Sequence, residues 1–106
     1  KYIGIILTKD NVVGTWNVTE YATSGDFQSA PNQAIYIQLK SDDSYFVKFL
    51  SNTYIGTYTI NGNTVKGTTI DPITEYFKFD SLEGNSATIS YSNSDGERYK
   101  FKAIRK

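Results

Sequence analysis

Apolar and polar side chains alternate along most of this chain with the period of two that belongs to strands half buried in a sheet. Eight runs carry the alternation, near 13–21, 34–40, 44–50, 53–60, 63–70, 73–80, 86–92 and 97–104, each rich in β-branched or aromatic residues. Turn residues bound them: Ser41-Asp42-Asp43-Ser44, Asn61-Gly62, Asp71-Pro72, Glu83-Gly84 and Asn93-Ser94-Asp95-Gly96. Asn61-Gly62 predicts a type I′ hairpin, which needs positive φ at both central residues. Short links at regular spacing predict an all-β meander. Eight such strands close into an antiparallel up-and-down barrel, because closure leaves no unpaired edge.

The alternation also assigns a core face. Trp16 and Val18 share it with Ile35, Ile37, Leu39, Tyr45, Val47 and Phe49. Tyr54, Gly56, Tyr58, Ile60, Val65, Ile73, Phe77 and Phe79 continue it, followed by Ala87, Ile89, Tyr91, Tyr99, Phe101 and Ala103, with Arg105 on the same side. Each large aromatic buried there contributes about 2–3 kcal/mol, so this face is the interior. Two segments break the rhythm. Residues 22–33 read as one long loop bearing Gly, Ser, Asn and Pro, and Thr8-Lys9-Asp10-Asn11 opens a short helical turn leading into Val12 and Val13. Lys1–Leu7, with Tyr2, Ile3, Ile5, Ile6 and Leu7, is apolar enough for a ninth strand or a docking arm. The chain therefore divides into an N-terminal arm over 1–9 and a single domain over 10–106.

Composition narrows the chemistry. A chain of 106 residues holds one domain with one core. It has no Cys and no His, which excludes disulfides, thiolate nucleophiles, histidine bases and the usual zinc sites. A metal would need oxygen ligands alone, and the turn pair Asp42-Asp43 falls short of the 6–8 oxygens of a calcium site. No metal or cofactor is expected, and no glycine-rich phosphate loop occurs. The formal net charge of +0 argues against a dedicated nucleic-acid binder. Basic residues nevertheless crowd the C-terminus as Arg98, Lys100, Lys102, Arg105 and Lys106, as expected of a strand guarding a sheet edge or coating a solvated face. No run approaches the ~20 apolar residues of a membrane helix. The start at Lys1 and the absence of Met suggest a mature or trimmed product, whose leader or lipid anchor would lie upstream.

Asp10 followed by Gly14-Thr15-Trp16, a long first loop, a strand meander and a terminal Arg105 resemble the lipocalin-like domains of Bacteroidetes envelope proteins. Tyr58-Thr59-Ile60-Asn61-Gly62-Asn63-Thr64-Val65 also looks like their mid-barrel hairpin. The resemblance implies a lipocalin-like barrel whose floor is closed by the Trp16 indole, with Arg105 packed over it. It further implies a non-enzymatic, extracytoplasmic binding module, secreted, periplasmic or anchored to the outer membrane of a Gram-negative bacterium. A monomer is expected.

Topology places Trp16 and Arg105 at one end of the barrel and the 22–33 loop at the other. Val18, Phe49, Tyr54, Ile73, Glu75, Tyr91 and Tyr99 then surround the second end as a mouth, with Phe27 available as a lid. An apolar mouth with a few polar tips suits a small hydrophobic ligand, whereas in a narrow barrel the same aromatics simply fill the interior. Glu75 points inward by alternation. Burial would raise its pKa, and a hydroxyl such as that of Tyr91 or Tyr99 would satisfy it. Glu20 is a candidate partner across the mouth, but nothing supports a catalytic carboxylate pair. The alternative function is a secreted or surface-tethered protease inhibitor. Such a protein would engage its target through Lys1–Leu7 and the 22–33 loop, adding a strand beside the substrate-binding residues.

Overall fold

The computed structural model describes residues 6–23, 25–31, 33–70 and 72–106. Its first element is a single helical turn, α1 (Lys9–Val12), begun at Thr8, whose N–H is accepted by Asn11 Oδ1 at 2.8 Å. Nine strands follow: β1 (Gly14–Ala22), β2 (Gln28–Ser29), β3 (Ile35–Leu39), β4 (Ser44–Phe49), β5 (Asn52–Asn61), β6 (Thr64–Thr69), β7 (Thr74–Glu83), β8 (Ser86–Asn93) and β9 (Arg98–Arg105). From β3 to β9 each strand pairs antiparallel with the next, and β1 pairs with both β3 and β9. That last ladder closes an eight-stranded meander barrel. The expected architecture is present, with one added strand.

The added strand lies where the sequence reads as loop. Gln28 and Ser29 pair with Tyr21 and Glu20, extending past the end of β3 along the same side of β1. Two residues are too few to show alternation, so only the proximity of β1 reveals them. Lys1–Ile5, read as a further strand or arm, lie outside the described residues. Leu7 is buried against the core, and its N–H donates to Gly62 O at 2.8 Å.

The hairpin at Asn61 differs from its expected form. Asn61 pairs with Thr64 as the last residue of β5, so the two-residue turn is Gly62-Asn63. Only Gly62 has positive φ, at 62°, which is the type II′ pattern with glycine first.

Two β-bulges reset the alternation. In β1 the pairing with β9 steps from Val18↔Ala103 to Glu20↔Lys102, leaving Thr19 unpaired in that ladder. Beyond the bulge Tyr21 faces inward opposite Phe101, and Glu20 faces out towards Lys102, 3.9 Å away. Glu20 is therefore no partner for Glu75 across the mouth, because one extra residue turns every later side chain to the other face. In β7 the bulge falls at Asp80, between Phe79 and Ser81, and brings Leu82 against the core.

Of the two roles expected for the basic strand, the structure leaves the solvated face and removes the edge, since Arg98, Lys100 and Lys102 are exposed. β9 is paired on both sides, with β8 and with β1, so its lysines guard no edge.

Candidate functional site

The barrel floor is built from the chain's two ends. Gly14 has φ +139°, and a Cβ there would stand 2.9 Å from Arg105 Cδ, so only glycine lets the arginine stem cross this point. Arg105 Cζ lies 5.3 Å from the centre of the Trp16 ring. The guanidinium also donates to Asp10 O at 3.2 Å, Val13 O at 3.3 Å and Asn85 Oδ1 at 3.2 Å. Trp16 is fully buried, and its indole N–H donates to Val12 O at 2.8 Å. The buried indole N–H is thus satisfied by the α1 segment that Arg105 also grips, which is the condition for burying it.

Above the floor the interior holds an ionisable group. Glu75 is 0% exposed. Tyr45 Oη donates to Glu75 Oε1 at 2.6 Å, and Tyr91 Oη donates to the other carboxyl oxygen. Asn93 Nδ2 donates in turn to Tyr91 Oη at 2.9 Å and to Glu97 Oε1 at 2.9 Å. Burial pushes the Glu75 carboxyl above its ordinary range, while the two tyrosine hydroxyls oppose the shift. The same burial and the nearby carboxyl hold Tyr45 and Tyr91 protonated as donors. Tyr91 is one of the two partners expected for Glu75. Tyr99 is not: its ring stacks on Phe101, 6.1 Å centre to centre. Tyr45 fills the second place because Gly67, opposite Glu75, leaves space for its ring. A Cβ on Gly67 would meet Tyr45 Cζ at 2.5 Å.

The mouth end is packed with rings. Phe49 and Tyr99 lie 4.6 Å apart, Phe49 and Phe101 6.1 Å, and Tyr91 and Tyr99 6.1 Å. Tyr21 meets Phe49 edge-on at 6.3 Å. Between them remains a crevice of about 10 Å³, bounded by Val47, Phe49, Tyr54, Tyr91, Glu97, Tyr99 and Phe101. That is room for about one water molecule. Of the residues assigned to the mouth by sequence, Phe49, Tyr54, Tyr91 and Tyr99 come together here. Val18 is buried deeper, opposite Ala103, and Glu75 lies below the crevice. Ile73 is half-buried and borders none of it.

Phe27 does not cover the mouth. Its ring sits 4.5 Å under Nζ of Lys102, an outward side chain of β9, so the loop folds against the outer wall. Two residues at this end had no clear signal in the sequence. Tyr21 is hidden by the Thr19 bulge, and Glu97 enters through the turn that Asn93 organises, with Asn93 Oδ1 accepting the Asp95 and Glu97 N–H groups at 3.1 and 3.0 Å. Among the described residues no group of three or more His, Cys, Asp or Glu could hold a metal ion. Asp42 Oδ1 instead accepts the Ser44 N–H at 3.0 Å, and Asp43 pairs with Lys9.

Comparison with known proteins places this geometry. Among curated proteins none matches the chain. An uncharacterized protein from Bacteroides eggerthii, solved by crystallography, has the same fold with a TM-score of 0.64 at 15% sequence identity, over 89% of this chain and 98% of that one. The model of the lipocalin-like domain matches residues 12–86, from the end of α1 through β7 to the first residue of β8. With most of its barrel covered by that match, the chain belongs to the lipocalin-like domain family.

Proposed function

We propose that this chain is a non-enzymatic, extracytoplasmic binding module that works with its outer surface and loops, not as a carrier of a ligand inside the barrel. One observation carries the reading: the mouth crevice holds about 10 Å³, whereas pockets for small ligands run to ~300 Å³ and above. Filling such a barrel with a fatty acid or tetrapyrrole would require Phe49, Tyr99 and Tyr21 to leave their mutual ring contacts. Glu75, the one buried carboxyl among the described residues, is engaged by two hydroxyls and does not border the mouth crevice, which supports a role in ordering the interior over one in catalysis. The extracytoplasmic setting rests on the resemblance to envelope domains. A protein partner, such as a protease met through residues 1–7 and the 22–33 loop, fits the reading.

A panel of fatty acids, hydrophobic dyes and tetrapyrroles tests it by fluorescence. The expected result is no saturable quenching of tyrosine or Trp16 emission. Saturable quenching that Phe49→Ala or Tyr99→Ala alters would restore the small hydrophobic ligand at the mouth and overturn the surface reading.

A further inference from the structure

We infer that the outer wall of β6–β9 is a binding site for an acidic carbohydrate chain. Register sets out its parts. Lys78, Ser90 and Lys100 stand side by side across β7, β8 and β9. One row nearer the mouth stand Tyr76, Ser92 and Arg98, with Lys66 beside Tyr76 on β6. Between and above these side chains, Lys66 excepted, lies an open crevice of about 460 Å³, bordered also by Thr23, Thr64, Tyr91 and Tyr99. It is much roomier than the mouth crevice of about 10 Å³.

Three features make this more than a solvated face. First, edge protection, one of the two roles expected of a basic strand, is absent, because β9 has partners on both sides. Second, none of Lys66, Lys78, Arg98 and Lys100 forms an ion pair or a side-chain hydrogen bond among the described residues. Asp80, at the β7 bulge, accepts from the Ser90 hydroxyl and sets one carboxyl beside the row. Four cations against that one carboxyl leave a positive excess, so an anion in the crevice relieves their mutual repulsion. Third, the floor is a mixture of hydroxyls with one flat ring, Tyr76, which is 39% exposed.

That mixture selects the ligand class. Lys78 and Lys100 are two strands apart, about 10 Å at the usual strand spacing, so they suit carboxylates or sulfates carried at intervals along a chain. Ser92 and Thr64 offer donors and acceptors for sugar hydroxyls, and Tyr76 offers an apolar face to a pyranose ring. A single-stranded nucleic acid is favoured by successive exposed rings on which bases stack, whereas here Tyr76 alone is exposed, Tyr99 is half-buried and Tyr91 is buried. A lipid surface is met by protruding apolar tips, but these cations border a recess. The proposal rests on the outer surface being the working surface. The titration below and the dye panel read different sites, so either reading can fail alone.

The test titrates fluorescently labelled heparin oligosaccharide and polygalacturonate against the folded protein at low salt, followed by polarisation. At least one of them should bind saturably and weaken as salt is raised. Replacing Lys78 and Lys100 together by Gln should weaken binding about tenfold, the scale of two screened charge contacts. The same net-charge change at Lys40 and Lys48, on the β3–β4 side, should leave it within about twofold. Tyr76→Ala should also weaken binding, a loss that charge alone does not produce. All these side chains are at the surface, and unchanged melting temperatures would show that the variants fold. No saturable binding of either saccharide overturns the proposal. So does an equal loss from both lysine pairs, or tighter binding of oligothymidylate or phosphatidylglycerol vesicles.

Discussion

Glu75 shows how a single residue can be legible in direction and illegible in detail. Alternation with Phe77 and Phe79 turns it inward, and burial then requires hydroxyl donors. Tyr91 is its neighbour-but-one across the β7–β8 ladder, near enough in sequence to suspect. Tyr45 comes from β4 and reaches it only because Gly67 is bare, a coincidence of three strands that no local pattern encodes. The raised pKa has a defined consequence. In the unfolded chain Glu75 titrates near the ordinary 4.5, and in the fold it titrates higher, so folding takes up a proton between those values. Stability from this group is full below the ordinary value and is lost as pH rises through the raised one. Thermal melts of the native protein and Glu75→Gln should therefore diverge, with the native protein losing ground as pH rises from 4.5 towards neutrality. Parallel pH profiles would remove the assigned cause.

At the scale of elements, strand positions are written clearly in the sequence and strand irregularities are not. The eight barrel strands fall where alternation and turn residues place them. The Thr19 bulge is silent, because Glu20 continues the expected parity as well as Tyr21 breaks it. Deleting Thr19 tests its role. The deletion would turn Glu20 towards Phe49 and Phe101 and move Tyr21 outside, combining a buried charge with a lost aromatic. A loss of at least ~3 kcal/mol in denaturant unfolding, or failure to fold, is expected. Deletion of Gly25, in the exposed part of the loop where a Cβ would meet nothing within 4 Å, should change stability by less than about 1 kcal/mol. Equal tolerance of both deletions would mean that the bulge does not set the facing of β1.

Over the whole molecule, closure couples the two chain ends. β1 and β9 are joined along their length, and Arg105, one residue from the end, covers Trp16 near the start. The interior is filled by Trp16 and Phe79 at 5.4 Å near the floor, by Tyr45 and Phe77 at 6.1 Å in the middle, and by the ring cluster at the mouth. A filled interior has no slack with which to collapse around a deletion. Trp16→Ala should cost ~3–5 kcal/mol by chemical denaturation, and native emission from this sole Trp should be blue-shifted and quenched little by iodide. A water-exposed emission spectrum would contradict the floor described here.

The sequence by itself determined the class, the strand count of the barrel and the inward face, because alternation, turn chemistry and burial are local properties that each residue carries with it. It also determined that Trp16 and Arg105 lie at one end, since an even number of meandering strands returns the chain to where it began. Only the tertiary structure decided that Glu20 points away, that Phe27 lies on the outer wall, and that the aromatics at the mouth close on one another. It also gave the basic strand two partners in place of an edge. These outcomes depend on one-residue register shifts and on side chains from strands far apart in sequence. Such contacts are settled by packing in three dimensions, where the space left by Gly67 or taken by Tyr21 is a property of the assembled barrel and of no segment within it.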